Sequence, residues 1–130
     1  MLKVNFVHTA EHAHISNDGK VSVINIFDIM YSDGVPTLSR FFYLVINATG
    51  EIGHHKVYLR LIDPEGNYLG QGSVWESDIT EGKKNIGHIL KLGMIALPKF
   101  GAYFLEIEDS GRKEKIDIFK LERHVNGKKE

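Results

Sequence analysis

The sequence predicts an all-β protein, an antiparallel β-sandwich of about eight strands with Ig-like or related topology. Three observations lead there. Turn signals recur at short intervals, each followed by β-branched or aromatic residues. Several of these runs alternate apolar and polar residues with period two. No segment carries a clean 3.6-residue apolar period, so no helix is expected.

Residues 2–10 read as the first strand, with Val4 and Phe6 on one face and Ile15 as a continuation. Ser16-Asn17-Asp18-Gly19-Lys20 gathers residues that tolerate unusual backbone angles. It runs straight into Val21-Ser22-Val23-Ile24-Asn25-Ile26-Phe27-Asp28, the second strand. The apolar face of that strand switches near Val23 and Ile24, which points to a bulge or to burial on both sides. Asp33-Gly34-Val35-Pro36 is a loop, and residues 38–47, apolar on both faces, belong in the centre of a sheet.

Residues 55–63 show the cleanest alternation: Val57, Leu59 and Leu61 face in, and Lys56, Tyr58 and Arg60 face out. Pro64-Glu65-Gly66-Asn67 turns the chain with proline early and glycine late. Residues 68–76 follow, with Gly70 and Gly72 hinting at an edge or a bulge. Residues 85–97 fit a strand better than a helix, because Gly87 and Gly93 disfavour a helix interior. Pro98-Lys99-Phe100-Gly101 stops that strand. Strands at 102–109 and 115–123 complete the set. Residues 1–123 form one domain, and 124–130 form a polar tail.

Composition narrows the function classes. The chain contains no cysteine, which excludes disulfides, cysteine-held zinc, iron–sulfur clusters and thiol catalysis. The net charge of -1 gives no overall pull toward nucleic acid or a membrane surface. The basic residues after Ser110 are interleaved with acidic ones, as on a solvated strand that resists edge-to-edge pairing. The longest mostly apolar run, 41–46, is far too short to span a bilayer, and no run of signal-peptide length opens the chain. A cytoplasmic protein is therefore expected.

Ala10-Glu11-x-Ala13, followed by Asp18-Gly19-Lys20-x-Ser22-Val23-x-Asn25-Ile26-Phe27-Asp28, resembles the opening signature of a widespread bacterial family of small proteins of unknown function. Leu61-Ile62-Asp63-Pro64-x-Gly66 and Phe100-Gly101-x-Tyr103-x-Leu105-x-Ile107 are similar to later parts of the same pattern. The resemblance spans roughly residues 4–122. It implies a stand-alone β-sandwich of bacterial or phage origin, and it implies no activity or site residues. His12 and His14 are not part of the pattern.

The sharpest candidate chemistry is His8-Thr9-Ala10-Glu11-His12-Ala13-His14. On an extended strand His8, His12 and His14 share one face. His12 and His14 then stand roughly 6.5–7 Å apart at Cα, a spacing at which two imidazoles can share zinc or nickel. A third ligand would come from a neighbouring strand, with His54, His55 and His88 as candidates. The competing reading makes these exposed strand histidines. His88, among Ile86, Leu90 and Leu92, reads as a buried structural histidine. Asp18 and Asp63 are the residues a turn needs for local hydrogen bonds, which explains them without calcium. No phosphate-binding glycine loop and no nucleophile elbow is present. Trp75 is exposed if Val74 faces in and buried if the register slips by one, and the core is the expected place for the single tryptophan.

These readings make a non-catalytic binding or assembly module the leading expectation. A protein partner, or a second copy, would engage it through edge strands. No cofactor is expected, and neither membrane nor nucleic acid is an expected partner. The alternatives are a metal-binding protein or metal-dependent hydrolase using His12 and His14, and a phage structural component.

Overall fold

The computed structural model describes residues 2–18 and 20–124. Among them all regular structure is β-strand: β1 (Lys3–Ile15), β2 (Val21–Ile26), β3 (Ile29–Ser32), β4 (Thr37–Leu38), β5 (Phe42–Thr49), β6 (Gly53–Ile62), β7 (Tyr68–Ile79), β8 (Asn85–Leu92), β9 (Ala96–Leu97), β10 (Gly101–Asp109) and β11 (Arg112–Arg123). One sheet has the order β2-β1-β5-β8, and the other β3-β11-β10-β6-β7. Every pairing is antiparallel except β3 with β11. A short ribbon, β4-β9, completes the set. The protein is thus an all-β sandwich, as its turn spacing and alternation predict. The eight expected strands correspond to β1, β2, β5, β6, β7, β8, β10 and β11.

Burial of apolar surface holds the two sheets together. Phe42, Leu44, Ile46 and Ala48 on β5 face Val57, Leu59 and Trp75 and the inward residues of β10 and β11. Phe119 packs edge-on against Phe42 at 5.5 Å and stacks on Tyr103 at 5.0 Å between ring centres. Trp75 is 5% exposed and pairs with Val57, which settles its register as core. The Tyr103 hydroxyl donates to the Lys99 carbonyl at 2.6 Å and closes the loop that precedes β10. Burial holds this phenol above its ordinary pKa.

The register shifts at three places. One lies in edge strand β7 at Gly70 and Gly72, where an edge or bulge is expected. The other two correct the simple alternation. In β1 the register shifts between Val4 and Phe6, so Asn5 is an extra residue. Val4 packs toward the core, whereas Phe6 is exposed on the outer face. The two do not share a face as the sequence suggests. Asn5 instead donates from its side-chain amide to Asn47 at 2.8 Å and to Asn85 at 3.3 Å. In β11 the register passes from Tyr103↔Phe119 to Phe104↔Asp117, leaving Ile118 as the extra residue. Ile118 and Phe119 are therefore both buried. The buried Thr9 hydroxyl reaches across from the other sheet and donates to the Ile118 carbonyl at 2.6 Å.

Two expected strands are interrupted. Residues 38–47 break before β5, and residues 85–97 break after β8. Ser39 and Ile95 bond to each other in the gap: Ser39 N–H donates to the Ile95 carbonyl at 2.9 Å, and Ile95 N–H to the Ser39 hydroxyl at 3.1 Å. At Gly93 a Cβ would lie 3.3 Å from the Phe41 ring, so the close approach of that ring favours glycine. β2 is an edge strand, with Ile24 49% and Ile26 58% exposed. The face switch near Val23 therefore reflects an uncovered edge and not burial on both sides. Of the expected polar tail, His124 is described: its N–H donates to the Ser32 carbonyl at 3.0 Å. Residues 125–130 lie outside the described residues. Among the described residues no helix is long and apolar enough to cross a membrane.

Candidate interaction face and its histidines

The Asn5 bulge sets which β1 side chains point out of the sandwich. After it, Val7 and Thr9 lie opposite inward Ile46 and Leu44, so Phe6, His8, Ala10, His12 and His14 occupy the outer face. The register with β2 places Ile26 beside Ala10, Ile24 beside His12 and Ser22 beside His14. On the other side Ala10 pairs with Tyr43 and His8 with Val45. The outer surface of this sheet is therefore rich in histidine, aromatic and isoleucine side chains.

The expected histidine trio shares one face but is not one cluster. His12 and His14 have ring centres 5.9 Å apart, and His12 meets the edge of Tyr43 at 5.2 Å. His8 stacks on Phe6 at 4.6 Å instead. The three candidate third ligands are engaged elsewhere. His54 bonds Asp78 through Nδ1 at 2.8 Å and Glu76 through Nε2 at 2.9 Å, and these carboxylates hold its pKa above the ordinary value. His55 is buried, with Nε2 at 2.8 Å from the Glu51 carbonyl and Nδ1 at 3.4 Å from Asp109. Asp109 also accepts the Leu2 N–H at 2.7 Å, which pins the start of β1. His88 lies on the inner side of the first sheet, stacked on Trp75 at 5.1 Å, and burial pushes its pKa down. Among the described residues no group of three or more His, Asp or Glu side chains is placed to hold a metal.

The outer surface of the second sheet has a different chemistry. Arg60 lies over Tyr68 at 3.9 Å, and the Tyr68 hydroxyl donates to Glu106. Lys115 lies over Phe104 at 4.4 Å, and His54 sits between its two carboxylates. These charges and aromatics contact one another, although the buried Arg60 Nε has no hydrogen-bond partner among the described residues. Asp63 is buried and structural: its Oδ1 accepts the N–H groups of Glu65 at 2.8 Å and Asn67 at 2.9 Å. Asp18 accepts from the Ser16 hydroxyl, so it too serves its turn.

A feature missed in the sequence is a cleft of about 470 Å³ at the end of the sandwich where β2 leads into β3. Phe27, Met30, Phe41 and Leu121 line it together with Glu11, Arg40 and His124. The Asn25 side-chain amide donates to Glu11 at 2.8 Å and fixes that carboxylate. Asn25 itself has a φ of 56°, a left-handed conformation that asparagine tolerates better than most residues. The one available signal was an asparagine inside a β-branched run, where it is depleted as a strand former. His124 stacks on Tyr31 at 5.6 Å.

The fold and these surfaces define a β-sandwich with one charged outer face and one face rich in histidine, aromatic and isoleucine residues. Residues 5–118 match the model described as Family of unknown function (DUF6941), and the chain belongs to that family. No curated protein matches it.

Proposed function

We propose that the protein is a non-catalytic binding or assembly module that engages another polypeptide through the β1–β2 hairpin. The observation that carries this reading is the free edge of β2. Its six residues, Val21–Ile26, include no charge and no proline, and Val21, Ile24 and Ile26 are exposed. Edge strands are ordinarily blunted by charges, proline or shortness. β7 carries Glu76 and Asp78, β8 carries Lys91, and β3 is only four residues long. β2 has none of these guards. The hairpin also overhangs its sheet: β1 pairs with β5 only from Lys3 to Ala10, while β1 pairs with β2 out to Ile15. Open backbone donors and acceptors flanked by isoleucines suit strand addition, in which main-chain bonds supply affinity and side chains specificity.

The order of crossings supports an Ig-like reading of the fold. The chain passes from β5 in one sheet to β6 and β7 in the other, returns to β8, and crosses again to β10 and β11.

The test is a library of displayed seven-residue peptides selected against the whole protein. Peptides that bind should shift the amide resonances of β1 and β2 and lose at least tenfold in affinity to an Ile24→Lys variant. Peptides that bind Ile24→Lys as tightly as the parent overturn the reading.

The 5.9 Å separation of the His12 and His14 rings favours a second reading, a zinc or nickel site completed by a ligand from a partner. Elemental analysis of untagged protein tests it, and absence of stoichiometric metal overturns it.

A further inference from the structure

Strand addition at β2 leaves the chemistry of the partner open, and the outer face beside that strand narrows it. Glu11 is the only carboxylate in the four strands of the first sheet. It stands between outward Ala10 and His12, so it points to the opposite side, where the Asn25 amide holds it. The outward positions carry Lys3, Lys91 and three histidines, and no acidic side chain. At the hairpin tip, the Asp18 carboxylate is taken up by Ser16 and Lys20. The second sheet is arranged otherwise. Glu106 pairs in register with Arg60 and Lys115, and Glu108 with Lys113, so acids and bases interleave. The outer face of the first sheet has no such internal compensation.

The donors of this face form a line. Lys91 Nζ lies 5.9 Å from the Tyr43 ring centre, that ring lies 5.2 Å from His12, and His12 lies 5.9 Å from His14. Lys91, His12 and His14 are exposed, and Tyr43 is half-buried. Lys91 also lies over the Phe41 ring at 5.5 Å and forms no ion pair among the described residues. A neutral imidazole still offers one N–H donor, so each histidine can meet a carboxylate oxygen with no change in its protonation. The line matches about five residues of extended chain. Its far end adjoins Ser22 and Ile24 of β2. We infer that the partner is an acidic polypeptide segment. Its carboxylates lie along Lys91, His12 and His14, and its apolar atoms rest on Tyr43 and Ile24. This inference rests on the strand-addition reading above and specifies the partner's charge. Complementary charge acts on encounter and partner choice more than on affinity, so the acidic segment supplies specificity to an edge whose main-chain bonds fit any strand.

Titration of the full chain with poly-L-glutamate, followed by its amide resonances, tests the inference. EDTA in the buffer keeps the result apart from the metal reading. Signals of His12, His14, Tyr43 and Lys91 should move, and poly-L-lysine should leave them in place. Lys91→Glu should weaken binding at least about fivefold, because an attraction becomes a repulsion. Lys91→Gln, which removes the charge alone, should weaken it about twofold. Lys115→Glu, the same reversal on the opposite outer face, should stay within about twofold of the wild type. No shift, or shifts confined to the second sheet, overturns the inference and leaves the displayed-peptide experiment to judge strand addition by itself. Binding that is insensitive to Lys91→Glu, or that falls equally with Lys115→Glu, overturns the line as the site. An oligothymidylate of equal charge that holds these residues more tightly than poly-L-glutamate overturns the choice of a polypeptide.

Discussion

Replacing Thr9 with valine should destabilise the protein although no volume is lost. Thr9 is 2% exposed, and its hydroxyl donates to the Ile118 carbonyl at 2.6 Å, the distance of a well-formed O–H···O bond. That carbonyl belongs to the bulged residue of β11, where the regular ladder is interrupted. Valine is β-branched and nearly isosteric with threonine, so strand propensity and packing are preserved. What changes is that a buried carbonyl loses its donor, a loss of about 1–3 kcal/mol. For a chain of this size that lowers Tm by roughly 3–15 °C, at about 3–5 °C per kcal/mol. Thr9→Ser keeps the hydroxyl and removes one methyl, so it should lose only about 1 kcal/mol. Urea unfolding at equal m-values measures all three proteins. Thr9→Val as stable as the wild type, or more stable than Thr9→Ser, would refute the view that this inter-sheet bond satisfies the bulge.

Three further outcomes follow from buried or paired groups. Asp63→Ala removes the acceptor of two loop N–H groups at a buried position and should lose about 1–3 kcal/mol by urea unfolding; a change under 0.5 kcal/mol would show that the loop holds itself. The folded-state pKa of His88 is depressed by burial, so the unfolded chain binds its proton first as pH falls. Stability should decline below the unfolded value of 6.5, and His88→Phe should reduce that decline while keeping a ring against Trp75; an unchanged pH profile sinks the assignment. His54 works in the opposite sense. Its pKa is raised by Glu76 and Asp78, so its contribution is complete below 6.5 and fades as pH rises through the folded value. The imidazole resonance of His54 should titrate above 6.5, and a midpoint at or below it would contradict the clamp.

The major strands were legible because their period-two patterns are long, and β6 with its Val57, Leu59 and Leu61 is the clearest case. The turns were legible because Asp63 and the Ser16–Asp18 pair do local work that the sequence displays. The Asn5 bulge was not, since an extra residue leaves no mark in composition yet reverses the facing of Phe6. Nor were β3, β4 and β9, which are too short to show a period and owe their form to distant partners such as β11. Alternation correctly gave His8, His12 and His14 a common face, but ring contacts depend on neighbouring strands. Phe6 takes His8, and Tyr43 takes His12. The Glu11–Asn25 bond and the cleft beside it required pairing register as well as a left-handed residue, and neither can be read from one strand alone.

The overhang of the β1–β2 hairpin explains why the candidate interface lies where stability is lowest. From Lys3 to Ala10, β1 is flanked by β5 and tied to the second sheet through Thr9. Beyond Ala10 the two strands pair only with each other, and Ile15, Val21 and Ile24 are exposed. A two-stranded ribbon is marginal by itself, so Ala13, the buried residue of the overhang, and the His12–Tyr43 contact carry most of its packing. Local opening there needs less free energy than global unfolding, whereas β5, paired on both sides, opens only with the whole fold. Amides of residues 12–15 and 21–24 should therefore exchange faster than those of β5 in dilute protein. A bound strand would slow them selectively, because it adds the hydrogen bonds this ribbon lacks. Equal protection of the overhang and β5 in the dilute protein would mean that the hairpin is already held along its full length, and strand addition would have no weak edge to complete.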